Sequence, residues 1–76
     1  MEVKSQIKAI VWKIIKQPGD MVEIDDEIII LESMKMEITV ESPTDGLVHS
    51  ILKAEGELVK TGGMLLLLKT KTEEDS

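Results

Sequence analysis

The stretch that decides the fold is residues 9–32, AIVWKIIKQPGDMVEIDDEIIILE, because it recurs at residues 46–69 as GLVHSILKAEGELVKTGGMLLLLK. The two stretches align without gaps at an offset of 37 residues, and many of the other positions exchange Ile for Leu, Asp for Glu or Met for Leu. Such a repeat predicts two copies of one supersecondary unit, neither of which can bury its apolar face alone. The identical pairs, two of them upstream, are Val3/Val40, Ser5/Ser42, Val11/Val48, Ile14/Ile51, Lys16/Lys53, Gly19/Gly56, Val22/Val59 and Leu31/Leu68.

Each copy favours strands, although its first apolar segment is ambiguous. The apolar residues at positions 10, 11, 14 and 15 also fit one face of a helix. Their β-branched side chains and the early Gly19 favour a strand instead. The runs IIIL (28–31) and LLLL (65–68) have no polar face, which predicts strands covered on both sides. By contrast, residues 37–41 alternate, with Ile38 and Val40 facing inward.

Short strands separated by regularly spaced turns predict an all-β sandwich or barrel. We expect residues 1–70 to form one domain and residues 71–76, which contain no apolar residue, to be a disordered acidic tail. If the copies are related by a rough two-fold axis, Lys35 at their junction corresponds to a position near Thr72. The tip that carries Lys35 should therefore lie at the opposite end of the molecule from both termini. We also expect Met21, the counterpart of Leu58, to be part of the core.

The composition restricts the possible functions. Trp12 is the only aromatic residue and there is no Cys, so disulfides and thiolate metal sites are excluded. The net charge of -6 opposes binding to nucleic acid and favours a soluble monomer. No apolar run is long enough to span a bilayer, and residues 1–16 lack the apolar segment of a signal peptide. We therefore expect a cytoplasmic protein that does not bind membranes.

Residues 31–38, LESMKMEI, stand between two strand-like runs and must contain a tight turn. The turn has no Gly, Asn, Asp or Pro, the residues that favour tight turns. Instead, Lys35 lies between Met34 and Met36, where all three side chains would be exposed. In a two-residue hairpin, Met34 and Lys35 would both need positive φ, at about 1–2 kcal/mol each.

Residues 32–36, ESMKM, resemble the Glu-Ala-Met-Lys-Met signature of biotinyl domains, and the resemblance extends over residues 2–70. It implies a flattened barrel of two four-stranded antiparallel sheets with quasi-two-fold symmetry, in which Lys35 is joined to biotin through an amide. Met34 and Met36 would then be flanking recognition residues. The protein looks like a free-standing biotin carboxyl carrier, not an enzyme. Its implied partners are a biotin protein ligase, a biotin carboxylase and a carboxyltransferase.

The sequence departs from this pattern in two places. Ser33 stands where the family usually has Ala, and residues 5–9, SQIKA, replace an Ala-Pro-x-x-Gly stretch. No insertion matches the additional loop, or thumb, of some acetyl-CoA carboxylase carriers.

Other interpretations remain open. The fold and the lysine position also resemble lipoyl domains of 2-oxo acid dehydrogenases and of the glycine cleavage system, which makes lipoate on Lys35 the alternative cofactor. A third interpretation is an unmodified interaction module, whose lysine only prevents pairing at a sheet edge. We expect no catalytic set and no metal site, because His49 is the only His and Asp25-Asp26-Glu27 lacks the spacing of a calcium loop.

Overall fold

The computed structural model describes residues 1–70, which form eight β-strands and no helix. The strands make two four-stranded antiparallel sheets, so the predicted all-β fold is confirmed. This part of the chain extends over 41 × 18 × 17 Å. The predicted tail, residues 71–76, lies outside the described residues. The strands are β1 (Glu2–Lys4), β2 (Ala9–Ile14), β3 (Met21–Val22), β4 (Glu27–Ser33), β5 (Met36–Glu41), β6 (Gly46–Ile51), β7 (Leu58–Val59) and β8 (Met64–Lys69).

The two sheets have the same construction, which confirms the repeat. Sheet A has the order β1-β8-β6-β3 and sheet B the order β5-β4-β2-β7. Val11 lies opposite Leu31 in sheet B, and 37 residues later Val48 lies opposite Leu68 in sheet A. The short strand of each copy pairs with a long strand of the other copy, since β3 pairs with β6 and β7 pairs with β2. Each sheet therefore contains strands from both copies and depends on both.

Bulges shape the long strands of each copy. Ile28 in β4 and Leu65 in β8 lie at register shifts, so two consecutive apolar side chains turn inward at each place. The outer face of β4 is partly open, since Ile30 is only half-buried. The prediction that these runs are covered on both sides is therefore wrong. The buried apolar residues are Val3, Ala9, Val11, Val22, Ile28, Ile29, Leu31, Val48, Val59, Leu65, Leu66 and Leu68.

The other local predictions have mixed outcomes. The ambiguous first segment is the strand β2, and Ile38 and Val40 do face the core from β5. Met21 is 67% exposed, so its assignment to the core is wrong. Strand β3 has only two residues, and alternation turns Val22 inward and Met21 outward.

Two buried serines hold the loops that connect β1 to β2 and β5 to β6. The Ser5 hydroxyl donates to the carbonyl of Ile7 at 2.5 Å, and the Ser42 hydroxyl donates to that of Thr44 at 2.6 Å. The backbone of Ser42 also exchanges hydrogen bonds with the Asp25-Asp26 turn, where Asp25 has a φ of 72°. These paired contacts satisfy polar groups that would otherwise be buried without partners.

The chain starts beside the end of β8. The terminal amine of Met1 donates a hydrogen bond of 2.7 Å to the carbonyl of Leu68, and the Leu68 amide donates one of 2.8 Å to the carbonyl of Met1. The equivalent pair in sheet B is Ile38 and Leu31, which lie opposite each other in the β4–β5 hairpin, two residues from its last pair. The hairpin and the start of the chain thus occupy equivalent positions on the two sheets. Residue 72, the expected counterpart of Lys35, lies outside the described residues.

Gly46, the counterpart of Ala9, has no space for a side chain, because a Cβ there would meet the backbone carbonyl of Lys69. We expect Gly46→Ala to lower the free energy of unfolding by about 2 kcal/mol, measured by urea denaturation. Ser50→Ala in the same strand is the control and should change it by no more than about 0.5 kcal/mol. Equal effects of the two substitutions would contradict this reading of the close approach.

Candidate functional site

The candidate site is the hairpin between β4 and β5. Ser33 lies opposite Met36, which leaves Met34 and Lys35 as a two-residue loop. Their φ angles are 51° and 66°, so both residues adopt the left-handed conformation that a type I′ turn requires. The predicted positive φ values are confirmed. The turn therefore has its strained geometry without the Asn-Gly sequence that would relieve the strain.

The three side chains at the tip point into solvent. Met34 is 92% exposed and Met36 is 62% exposed, and Lys35 is exposed between them. Within residues 1–70, the Lys35 amine makes no hydrogen bond or ion pair. A primary amine on a long stem is thus presented to solvent with an apolar side chain on each side. The neutral form of this amine is a nucleophile that can attack an activated carboxyl group.

Ser33 supports the base of the hairpin in a way that the sequence did not indicate. Its hydroxyl donates a hydrogen bond of 3.2 Å to the carbonyl of Lys8, just before β2. Ala, the residue that the family usually has at this position, could not make this bond. The contact links the hairpin to the neighbouring strand and restricts the direction in which the tip points.

Two pairs of carboxylates face each other across the hairpin, another feature that was not predicted. Glu32 lies opposite Glu37 next to the tip, and Glu27 lies opposite Glu41 at the far end of the ladder. All four are exposed, and none forms an ion pair within residues 1–70. Like charges at directly opposite positions destabilise a strand pair. The pair Glu32 and Glu37 could have been inferred from the sequence once a two-residue loop was assumed, because the register next to the loop then follows. The pair Glu27 and Glu41 could not, because it depends on the bulge at Ile28.

The remaining candidate residues do not join the site. Trp12 lies at the bulge of β2, is 47% exposed, and has the Lys13 amine 5.8 Å from its ring centre. Trp12 is therefore an exposed residue on the outer face of sheet B, in the central strand β2. His49 is exposed at the corresponding bulge of β6. Within residues 1–70, no cluster of His, Asp and Glu side chains is suited to a metal ion.

Asp25 and Asp26 form a turn. The Asp26 carboxylate accepts a hydrogen bond from the Glu23 amide at 2.8 Å, and Asp25 has the positive φ noted above. The acidic stretch therefore forms the connection between β3 and β4. In addition, residues 1–70 contain no helix with the length and hydropathy to cross a membrane.

Comparisons with known proteins agree with the geometry of the hairpin. The biotin/lipoyl family model, described as "Biotin-requiring enzyme", matches residues 2–68. The chain belongs to the biotin/lipoyl attachment family. It is 40% identical over 73 residues to the biotin/lipoyl attachment protein of Bacillus subtilis strain 168, covering 96% of this chain and all of the relative. Domains of this family are carriers rather than catalysts.

Two solved structures from different enzyme systems show the same fold. The urea carboxylase of Kluyveromyces lactis matches with a TM-score of 0.86 at 32% identity, over 91% of this chain but only 6% of that protein. The lipoyl domain of the 2-oxoglutarate dehydrogenase complex of Azotobacter vinelandii matches with a TM-score of 0.79 at 28% identity, over 92% of this chain and 96% of that domain. The family therefore includes domains of both the biotin and the lipoyl type.

We expect Glu37→Lys to raise the free energy of unfolding by about 0.5 kcal/mol, because it replaces a repulsive pair with an attractive one opposite Glu32. Urea denaturation at low ionic strength measures the change. Glu23→Lys, at an exposed position outside the hairpin, makes the same change in net charge and is the control. An equal gain in the control would show that net charge alone, and not the cross-strand pair, is responsible.

Proposed function

We propose that this chain is a biotin carboxyl carrier in which biotin is attached to Lys35. The observation that carries the proposal is the exposed Met34-Lys35-Met36 sequence at the tip of a strained two-residue turn. A turn that only connected the two strands would gain stability from Gly or Asn and would not need two exposed methionines. Their flexible, polarizable side chains suit contact with a ligase surface or with the bound cofactor.

The residues at the tip fit the attachment reaction. The neutral Lys35 amine attacks the carboxyl carbon of biotin that a biotin protein ligase has activated as an adenylate. An amide bond forms, adenosine monophosphate leaves, and the amine gives up a proton. When bound, biotin supplies a ureido ring that accepts and releases a carboxyl group. The hairpin presents the attached group away from the sheets, where larger enzymes can enclose it.

The proposed partners are a biotin protein ligase, a biotin carboxylase and a carboxyltransferase. Attachment to an exposed tip raises the concentration of biotin at each active site above what free biotin would reach. The similarity to a urea carboxylase over 91% of this chain supports a carboxylase assembly. Because the chain spans 6% of that protein, the acceptor would be selected by other domains or subunits. We further propose that the carrier works as a monomer in the cytoplasm, which its net charge and composition favour.

A lipoyl carrier is the second candidate. The similarity to the Azotobacter lipoyl domain, over 96% of that domain, favours it. An exposed lysine on the same kind of tip would accept lipoate by the same acyl chemistry. The methionines beside Lys35 are the feature by which we prefer biotin.

Intact mass after expression with a biotin protein ligase and with a lipoate ligase separates the candidates. We expect a gain equal to biotin less water, and a smaller yield of the lipoyl form. Gain of lipoate alone would select the second candidate. No gain with either ligase would leave an unmodified interaction module.

Replacement of Lys35 by Arg should abolish the mass gain, because the guanidinium group does not act as the acyl acceptor. The fold should be retained, since an exposed tip contributes little to packing, and the free energy of unfolding should change by less than about 0.5 kcal/mol. Lys60→Arg, another exposed lysine, is the matched control and should be labelled normally. Persistent labelling of Lys35→Arg would place the attachment elsewhere.

Changing both flanking residues, by Met34→Asp and Met36→Ala, should move the preference from biotin toward lipoate. We expect the ratio of lipoyl to biotinyl product to rise about tenfold, as the loss of roughly 1.4 kcal/mol of contact with the biotin ligase would produce. The products are measured by mass under competing ligases. Met21→Asp, at an exposed methionine outside the hairpin, should leave the ratio unchanged. A similar ratio in all three proteins would remove the methionines from the recognition.

A further inference from the structure

A groove of about 530 Å³ lies between the edge strands of the two sheets, β1 and β5. Its floor is formed by the buried side chains of Val3 and Leu31, and its apolar walls by the half-buried Ile7, Ile38 and Val40. The volume is within the range of sites that bind small organic molecules. The polar and other rim residues are Glu2, Lys4, Gln6, Thr39, Glu41 and Pro43.

The groove is not symmetric, although the two copies around it are. Most lining residues have their repeat counterpart in the lining, as Val3 has Val40 and Lys4 has Glu41. Three apolar residues do not: Ile7, Leu31 and Ile38 line the groove, whereas Thr44, Leu68 and Met1 are absent from it.

All three of these residues lie on the side of the hairpin. Leu31 and Ile38 are opposite each other in the β4–β5 ladder, two residues from its last pair, Ser33 and Met36. Ile7 precedes Lys8, whose carbonyl accepts the hydrogen bond from the Ser33 hydroxyl. The groove therefore extends toward the tip that carries Lys35 and not toward the start of the chain.

The distance from the tip suits an acylated lysine. Ile38 is three residues along the strand from Lys35, which places the two Cα atoms about 10 Å apart. A lysine stem with a five-carbon acyl chain has about ten bonds before its ring and reaches on the order of 12 Å when extended. The ring of either candidate cofactor can therefore fold back into the near end of the groove.

The lining also suits such a ring. Biotin and lipoate share a sulfur-containing ring on a five-carbon chain, and the apolar walls match that shared chemistry. The Gln6 and Thr39 side chains at the rim can form hydrogen bonds with the polar atoms of the ring system. Since β5 is an edge strand, part of its backbone is also open to hydrogen bonding there.

We propose that this groove is a docking site for the domain's own acylated Lys35 arm. The inference rests on the proposed attachment at Lys35 and adds a resting position that the arm occupies between visits to its partners. Docking hides the ring from solvent and from binders of the free cofactor. A partner enzyme has to compete with the groove for the ring, so the groove sets the fraction of arms that are available.

Methyl spectra of the full chain test the docking. We compare the unmodified, biotinylated and lipoylated proteins, each verified by intact mass, with Lys35→Gln as a control for the loss of charge. Methyl groups of Ile7, Ile38 and Val40 should shift on acylation and show contacts to the ring, whereas the exposed Ile24 should not. If acylation on Lys35 is complete and these methyl groups behave as in Lys35→Gln, the arm is free and docking is wrong, while the attachment stands. Failure of Lys35 to gain either group would overturn both proposals.

The asymmetry of the groove supplies a matched pair of variants. Ile7→Thr gives copy one the residue of copy two, and Thr44→Ile makes the reverse change outside the groove. In the biotinylated protein, Ile7→Thr should weaken the ring contacts of Ile38. For an arm that is docked half of the time, it should speed capture by avidin about twofold. Thr44→Ile should leave both readouts at the wild-type values. Unchanged capture by Ile7→Thr, in a variant whose methyl spectrum shows an intact fold, would overturn the docking.

Discussion

The site depends on two residues held at positive φ by the strand pair beneath them. Met34 and Lys35 have side chains that disfavour this conformation, and no Gly or Asn relieves the strain. The β4–β5 ladder compensates, because apolar pairs such as Leu31 with Ile38 and Ile29 with Val40 fix the register down to Ser33 and Met36. A shift of that register by one residue would turn the apolar side chains of β5 away from the core and remove the two-residue turn. The presentation of Lys35 is therefore a consequence of packing well below the tip.

The repeat makes one copy an internal control for the other. Positions that serve the fold are the same in both: the registers of the long strands, the bulges, and the buried serines with their hydrogen bonds to carbonyls two residues later. Some of the positions that differ lie on the side of the hairpin. Ile7 has Thr44 as its counterpart, and Glu32, beside the tip, has Lys69. Two copies with the same strand registers thus differ in side chains beside the hairpin.

Electrostatic repulsion between carboxylates opposes the stability of the β4–β5 hairpin. The two opposed carboxylate pairs of the hairpin lie outside any ion pair of the described residues, although lysines are present elsewhere on both sheets. Their repulsion is screened and small in free solution, since all four groups are exposed. A partner with basic residues around its active-site entrance would meet a concentrated negative charge beside Lys35, which favours association in the productive orientation.

The sequence predicted the repeat, the strand character of β2 and the inward-facing residues of β5. It also predicted a tight turn within residues 31–38 and, for a two-residue loop, the positive φ that Met34 and Lys35 have. They depend on local alternation and on an internal symmetry that can be seen in the letters alone. Other features required the tertiary structure. Met21 is exposed because β3 turns Val22 inward and therefore Met21 outward, and the run at residues 28–31 is continuous because of a bulge. The bond from Ser33 to Lys8 and the groove between β1 and β5 join residues that are far apart in the chain. Periodicity determines which way a side chain points from its own strand, but contacts between strands depend on registers and bulges that only the packed sheets establish.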